Sequence, residues 1–256
     1  MRLVSWNVNS LKARLPRIEQ LLAEHRPDVL CVQETKLAAA AFPHRELAAM
    51  GYSAVDHSAG RWGGVAVLAR SGLELTGAAR GLPGEPWSEE ARWVEAQLGD
   101  LRVASVYVPN GRAVGSEQFA GKLAFLEAMR ARLDSLATRP LVVAGDFNIA
   151  PADRDVYDPE AFVGSTHVTL DERARLQAVL GVGLVDAYRR LEPEAPGFTW
   201  WDYRAGAFHK HLGMRIDLVL LSAGPASRLE HCGIDRAYRK GSKPSDHAPL
   251  LVDLRD

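Results

Sequence analysis

The sequence predicts an α/β fold: a four-layer α/β/β/α sandwich, two packed mixed β-sheets flanked by helices. Three observations lead there. Short runs rich in Val, Leu and Ile are numerous, as core strands require. Many of them follow one another directly, which excludes a strict βαβ repeat and suggests a meander. The few helical segments each carry one apolar face and so belong outside the sheets. The chain has 256 residues, 47% of them hydrophobic, enough to bury a sizeable core. No long linker or low-complexity tract divides it, and the Gly/Pro-rich stretch 80–86 is short, so residues 1–256 read as one domain.

The strand candidates are 3–6, 29–33, 64–69, 93–97, 102–108, 141–144, 216–221 and 250–254. A first helix is expected around Ile18, Leu21 and Leu22, with Pro16 in its first turn. A long helix is expected where Phe119, Leu123, Leu126, Met129, Leu133 and Leu136 recur at helical spacing. Thr169 and Glu172 have the spacing of a capping box, and Gly181 stands where that helix should stop.

Charged residues are 25% of the chain, net charge is −1 and the pI is about 6.7. That balance gives no global footprint for nucleic acid, so any nucleic-acid enzyme must concentrate its cations on one face. Candidate groups are Lys12/Arg14/Arg17, Arg204/Lys210/Arg215 and Arg236/Arg239/Lys240/Lys243, each of which taken singly is ordinary solvated surface. No run approaches the length of a membrane span, and the N-terminus has no secretory pattern. Cys31 and Cys232, both in apolar settings, do not make a disulfide framework; the expectation is a cytoplasmic protein with no membrane association.

The apolar run Leu141-Val142-Val143-Ala144 leads through Gly145, a turn or close-approach residue, into Asp146-Phe147-Asn148. In an extended chain Asp146 and Asn148 point the same way, as a metal or phosphate site would need. Taken alone, the segment reads better as a turn, because Gly, Asp and Asn are turn formers. Other strand ends change that reading. Asn7 and Asn9 follow the first strand, Glu34 the second and Tyr107 closes another. Asp217 stands at the start of an apolar strand, where a buried acid needs a partner, and Ser245-Asp246-His247 precedes the last strand. His247 suits Asp217, because a carboxylate fixes an imidazole's tautomer and favours its charged form. Glu34 with Asp146 or Asp246 supplies the hard oxygens that Mg²⁺ prefers, while zinc spacing of Cys and His is absent. Asn7, Asn148, Tyr107 and His247 supply donors. A phosphoryl group needs that combination, with a carboxylate to activate water.

In order along the chain, Trp-Asn-Val-Asn-Ser, Gln-Glu-Thr-Lys, Tyr-Val-Pro-Asn-Gly, Gly-Asp-Phe-Asn-Ile-Ala-Pro, Arg-Ile-Asp-Leu and Ser-Asp-His-Ala-Pro resemble the exonuclease III family. These are Mg²⁺-dependent AP endonucleases within the endonuclease/exonuclease/phosphatase superfamily. The resemblance runs from Asn7 to His247. It implies that Glu34 is the principal metal ligand, with Asn9 near the metal shell. Asp146 would orient or deprotonate the attacking water, and Asn7 and Asn148 would hold the phosphate and Asp146. Tyr107 would donate on the phosphate side. His247 would stabilise the phosphorane oxygens, oriented by Asp217, and Asp246 would be a second metal-site acid or water partner. The wider metal set carried over is Asn7, Asn9, Glu34, Asp146, Asn148, Asp246 and His247.

The implied reaction is in-line attack of water on the phosphodiester 5′ to an abasic site in duplex DNA. It would be accompanied by 3′→5′ exonuclease and 3′-phosphatase or phosphodiesterase activity, with Mn²⁺ able to replace Mg²⁺. The implied partner is double-stranded DNA with abasic sites or blocked 3′ ends, acted on by a monomer with no obligate protein partner. Trp200, Met214 and Ile216 fall at the positions that build a pocket for a flipped, base-less sugar, whose size selects the lesion. Arg112 would contact DNA phosphate or wedge into the duplex, and the loop 205–213 would face DNA. The Glu, Asp-x-Asn and Asp-His core is shared across the superfamily, so the alternative is a phosphatase or phosphodiesterase acting on a small-molecule or lipid phosphate. Trp200, Trp201 and Arg112 argue against it.

Overall fold

The computed structural model describes residues 1–136 and 138–255. The chain opens with β1 (Arg2–Asn7), α1 (Leu11–His25), β2 (Val29–Gln33), α2 (His44–Ala49), β3 (Tyr52–His57) and β4 (Val65–Arg70). A run of three strands follows, β5 (Leu75–Arg80), β6 (Trp93–Leu98) and β7 (Leu101–Tyr107), then α3 (Glu117–Asp134) and β8 (Leu141–Asp146). Next come α4 (Leu170–Leu180), β9 (Val185–Asp186), α5 (Ala187–Leu191), β10 (Trp200–Trp201) and β11 (Gly213–Met214). The chain closes with β12 (Asp217–Leu221), α6 (Ala223–Ser227), β13 (Leu229–Ile234) and β14 (Leu250–Leu254).

Two six-stranded sheets result, ordered β13-β14-β1-β2-β4-β3 and β5-β6-β7-β8-β12-β9, with β10 and β11 as a separate pair. Each sheet is mixed: β1 with β2, and β7 with β8, run parallel, and the other pairings of the two sheets are antiparallel. Between the sheets lie Leu3, Val29, Cys31, Val65 and Val67 against Val94, Val103, Val142, Ala144 and Val219. On one outer face Ile18, Leu21 and Leu22 of α1 and Leu47 of α2 pack on Val4, Trp6, Leu30 and Val32. On the other, Phe125, Leu126, Met129 and Leu133 of α3 and Leu176 and Val179 of α4 cover Ala104, Val106 and Val143. The expected four-layer sandwich is therefore what the chain forms. Each such large apolar side chain, fully buried, contributes about 1.5–3 kcal/mol.

The anticipated strands all form, to within two residues at either end. Apart from the short pair β10 and β11, the strands not anticipated are β3, β5, β9 and β13, the four edges of the two large sheets. An edge strand covers one side incompletely: Leu75–Arg80 is largely exposed and Leu229–Ile234 has one buried residue, so neither carries an apolar run. Pro16 is not in a first turn. Ser10 caps α1, with the Ala13 amide on its hydroxyl, and the helix begins at Leu11, so Pro16 lies in the helix interior. The Thr169–Glu172 capping box and the stop at Gly181 form as expected. Gly145 is a close-approach residue within β8: a Cβ there would stand 1.9 Å from the Val106 carbonyl oxygen on β7.

The two parallel pairs position the chemistry. Parallel neighbours end at the same edge, so β1 and β2 deliver Asn7 and Glu34 together, and β7 and β8 deliver Tyr107 and Asp146 together. β12 runs antiparallel to β8 and starts at that edge, with Asp217 in register with Asp146.

Candidate active site

Asn7 is fully buried at the end of β1, and its amide Nδ2 donates to Glu34 Oε1 at 2.8 Å and to Asp146 Oδ2 at 2.9 Å. One neutral fork thus holds a carboxylate from each sheet. Asp146 Oδ1 accepts the Asn148 backbone N–H at 2.9 Å. His247 closes the group: its Nδ1 meets Asp217 Oδ2 at 2.8 Å, and its Nε2 stands 3.7 Å from Asp146 Oδ2. The segment carrying His247 is pinned on both sides, because Trp6 Nε1 donates to the His247 carbonyl and Ser245 Oγ donates to the Asn7 carbonyl. Ligand atoms of Glu34, Asp146 and His247 all lie within 4.8 Å of one another.

Burial pushes the Asp146 carboxyl up to about 7, against the pull of the His247 cation. Burial opposes the charge on His247, but Asp217 and Asp146 outweigh it and raise the imidazole to about 10. Burial, with the charges of Glu34 and Asp146, holds the Tyr107 phenol well above its usual value, so it remains a donor. The Arg92 guanidinium lies over the Tyr107 ring, 5.0 Å from its centroid.

Asp246 is tied in from the side. Asn9 Nδ2 reaches its Oδ1 at 2.9 Å and Trp200 Nε1 its Oδ2 at 3.1 Å. Burial works against its charge, yet the His247 cation and these two donors keep its carboxyl below the usual range. Asp246 is not a member of the 4.8 Å cluster.

The expectation that Asp146 and Asn148 point alike along extended chain is corrected: Asn148 has a φ of 51°, and Asn9 after β1 has one of 45°. Asparagine tolerates this left-handed region, but Glu34, at φ 54°, is a costlier exception. Strain of this kind gathers at functional sites. Asn148 consequently turns its Nδ2 to the Val108 carbonyl at 2.9 Å.

The remaining sequence candidates lie around this centre. Trp200 pairs with Met214 across β10 and β11, and both pack with Ile216, Ala150 and Val156. Met214 and Ile216 are 1% and 2% exposed, so that cluster is closed. Arg112 is exposed at φ 54° beside Asn110, whose Nδ2 lies 3.4 Å from Asn148 Oδ1. In the loop 205–213, His211 Nδ1 meets the Arg236 guanidinium at 2.8 Å. The basic group placed at Arg215 is corrected: Arg215 is buried, gripped by Asp155 and Asp186. The first and third basic groups do adjoin, since Arg14 donates to the Pro244 carbonyl and Arg17 to that of Lys240.

Three residues of the site escaped the sequence reading. Lys36 places its ammonium 2.8 Å from Glu34 Oε2 and also on Asn9 Oδ1. Lys122, fully buried on α3, holds the carbonyls of Asn148 at 2.6 Å and Asn110 at 3.3 Å and pairs with Glu172. His167, at φ 84°, sets its Nε2 3.3 Å from Asn110 Nδ2. A signal for Lys122 was present: it lies in the Phe119, Leu126, Met129, Leu133 stripe, where a cation needs a buried partner.

Residues 4–247 match the model of the endonuclease/exonuclease/phosphatase family. The chain belongs to that family. Three relatives are similar to it over the whole length of both chains. Exodeoxyribonuclease III of Haemophilus influenzae is 32% identical, with all of both chains aligned. A 3′ phosphatase from Neisseria, solved with a product DNA hairpin, is 38% identical over the whole of both chains with a TM-score of 0.97. An AP endonuclease from Archaeoglobus fulgidus is 33% identical, again over both whole chains, with a TM-score of 0.95.

The chemistry of the donor set fits a divalent metal. Two carboxylates converge from different sheets, and Glu34 already holds a cation, the Lys36 ammonium. His247 fits less well as a ligand, because Asp217 keeps its imidazole charged.

Proposed function

We propose that this protein is a DNA-repair nuclease of the exodeoxyribonuclease III type. It hydrolyses the phosphodiester 5′ to abasic sites in duplex DNA and cleans 3′ ends, with Mg²⁺ as cofactor and Mn²⁺ as a substitute. The observation that carries this reading is the continuous line Glu34–Asn7–Asp146–His247–Asp217, joined by contacts of 2.8, 2.9, 3.7 and 2.8 Å. It puts a base, a cation and a metal-holding acid around one point.

In this mechanism Asp146 takes the proton of the attacking water, and its raised carboxyl, near 7, is matched to neutral pH. The His247 imidazolium donates from Nε2 to a non-bridging phosphoryl oxygen as charge builds there, while Asp217 holds its Nδ1–H. Tyr107 donates its phenol O–H to the phosphate, and Asn7 keeps Glu34 and Asp146 at their separation. Glu34 and Asp146 would hold the metal, with Asn7, Asn9, Asn148, Asp246 and His247 around them. The metal, when bound, supplies Lewis-acid stabilisation of the phosphoryl oxygens. Attack breaks the bond from phosphorus to the 3′-oxygen of the nucleotide 5′ to the lesion; that oxygen takes a proton from solvent to become a 3′-hydroxyl, and the other product carries a 5′-deoxyribose phosphate. Arg112 and the exposed part of Trp200 would face the substrate, with Met214 and Ile216 packed behind the Trp200 ring.

A second emphasis, removal of 3′-terminal phosphate as the dominant activity, is favoured by one observation. The Met214–Ile216 cluster is closed, which leaves the exposed part of Trp200 as its substrate-facing portion. A terminal phosphate needs no sugar pocket, and the Neisseria relative is described as a 3′ phosphatase. We further assign residues 1–256 to one domain that acts as a cytoplasmic monomer without an obligate protein partner. Two buried, unpaired cysteines support the compartment, and among the described residues no helix is long and apolar enough to cross a membrane.

A panel of four substrates tests the reading: an abasic duplex, an intact duplex, a duplex ending in a 3′-phosphate and an inositol phosphate, each with Mg²⁺, Mn²⁺ and a chelator. Metal-dependent turnover of the DNA substrates is expected; turnover of the inositol phosphate alone would end the nuclease claim.

A further inference from the structure

Trp62 is 66% exposed, although a large aromatic ring gains most by burial. It sits with Arg61 at the tip of the β3–β4 loop, and the Arg61 guanidinium lies 4.8 Å from its ring centroid. The tip is fixed on both sides to the segment that follows Glu34. On one side Gly60 N–H donates to the Leu37 carbonyl at 2.9 Å and Ala59 bridges to Ala38. On the other, Lys36 N–H donates to the Gly63 carbonyl at 3.0 Å and Thr35 N–H to that of Gly64 at 3.1 Å.

The two glycines after Trp62 show how tight this anchorage is. Gly64, at φ 89°, has room for no Cβ, which would lie 2.0 Å from Thr35 Oγ1. Gly63, at φ 66°, brings the loop to within 3.9 Å of the Tyr107 ring, measured from where its Cβ would stand. A two-residue tip anchored at both ends therefore holds an exposed indole and a cation at the rim of the site, beside the Lys36 backbone and the Tyr107 ring.

We propose that Trp62 is a stacking platform for a nucleobase of the DNA strand whose phosphate lies at Asp146 and His247, with Arg61 meeting a neighbouring backbone phosphate. The assignment rests on the nuclease reading above. Nucleobases suit the site because every base offers a π-face and the strand brings phosphates at regular spacing beside it. One ring and one guanidinium offer too little area for a protein partner.

The test compares wild type with Trp62→Ala, Trp62→Phe and Arg61→Ala on a duplex carrying a 3′-phosphate, and follows tryptophan emission as the product duplex is added. Trp62→Ala raises KM about tenfold, as expected for loss of one stacked base, with a smaller change in kcat. Trp62→Phe keeps KM within about threefold of wild type, because a ring remains. DNA quenches the part of the wild-type emission that Trp62→Phe lacks. A Trp62→Ala KM within twofold of wild type, or full quenching retained in Trp62→Phe, overturns the platform while leaving the nuclease intact. A wild-type protein that cleaves no DNA overturns the functional reading and the platform with it.

Discussion

Asp217 and Asp146 face each other in register across β12 and β8, and His247 stands between them, 2.8 Å from the first and 3.7 Å from the second. The acids are not interchangeable. Asp217 engages Nδ1 and fixes the ring, which leaves Nε2 directed at Asp146, the carboxylate proposed to activate water.

This arrangement dictates a bell-shaped pH–rate profile. Activity rises as Asp146 deprotonates, at or below about 7, because a bound cation favours the carboxylate and lowers that limb. It falls as His247 loses its proton near 10. Asp217→Asn removes the charge that raises His247, so the alkaline limb moves to lower pH and kcat drops on the order of 10²–10⁴-fold. Steady-state kinetics from pH 5 to 10 on a 3′-phosphate duplex, with circular dichroism to confirm folding, measures both.

Metal binding should stabilise the fold through Glu34. At a concentration about 100 times Kd, a divalent cation adds about 2.7 kcal/mol, which raises Tm by about 5–10 °C in a chain of this size. Glu34→Gln removes the principal acid and is expected to abolish most of that shift. Differential scanning fluorimetry with and without Mg²⁺ gives the answer without any assay of activity.

Lys122 and Glu172 form a fully buried ion pair behind Asn148 and Asn110. Lys122→Met leaves Glu172 without its cation and should cost about 3–5 kcal/mol. Replacing both with apolar residues should recover much of the stability, yet turnover should stay low because the Asn148 carbonyl has lost its donor. Urea unfolding of the two single variants and the double variant, alongside kcat, separates the structural from the positioning contribution.

Acid should unfold the protein through the same pair and through Glu95, which lies on the same helix-covered face and is paired by Arg132 of α3 and Arg102 of β7. Burial disfavours the charge of Glu172, but Lys122 holds its carboxyl below 4.5; Arg132 and Arg102 do the same for buried Glu95. A carboxylate whose folded pKa is depressed stabilises the fold above its unfolded pKa, and that stability is lost as pH falls through the folded value. The contribution of these two carboxylates should therefore be constant near neutrality and be lost as pH falls below about 4.5. Thermal melts across pH 3–7 should show this, with a shallower decline in Glu95→Gln.

The sandwich was legible because its central strands are buried on both faces and read as plain apolar runs, as Leu141–Ala144 does within β8. Edge strands were not, since exposure replaces the apolar run with the mixed residues of Leu75–Arg80. The acids of the candidate site and His247 were legible as polar residues at the ends or starts of core strands. The backbone that presents them was not: no spacing rule reveals the left-handed φ at Glu34, Asn9 and Asn148. Lys122 hid because a buried cation on an apolar helix stripe has meaning only once Glu172, fifty residues on, is brought beside it.

The most direct test of the central claim is cleavage of a 3′-phosphate duplex and an abasic duplex by wild type and Asp146→Asn, with Mg²⁺ present and folding verified. The expected result is metal-dependent product from wild type and a loss on the order of 10²–10⁴-fold in kcat for the variant on both substrates, the usual range for removal of a general base. Near wild-type turnover by Asp146→Asn on either duplex would contradict it.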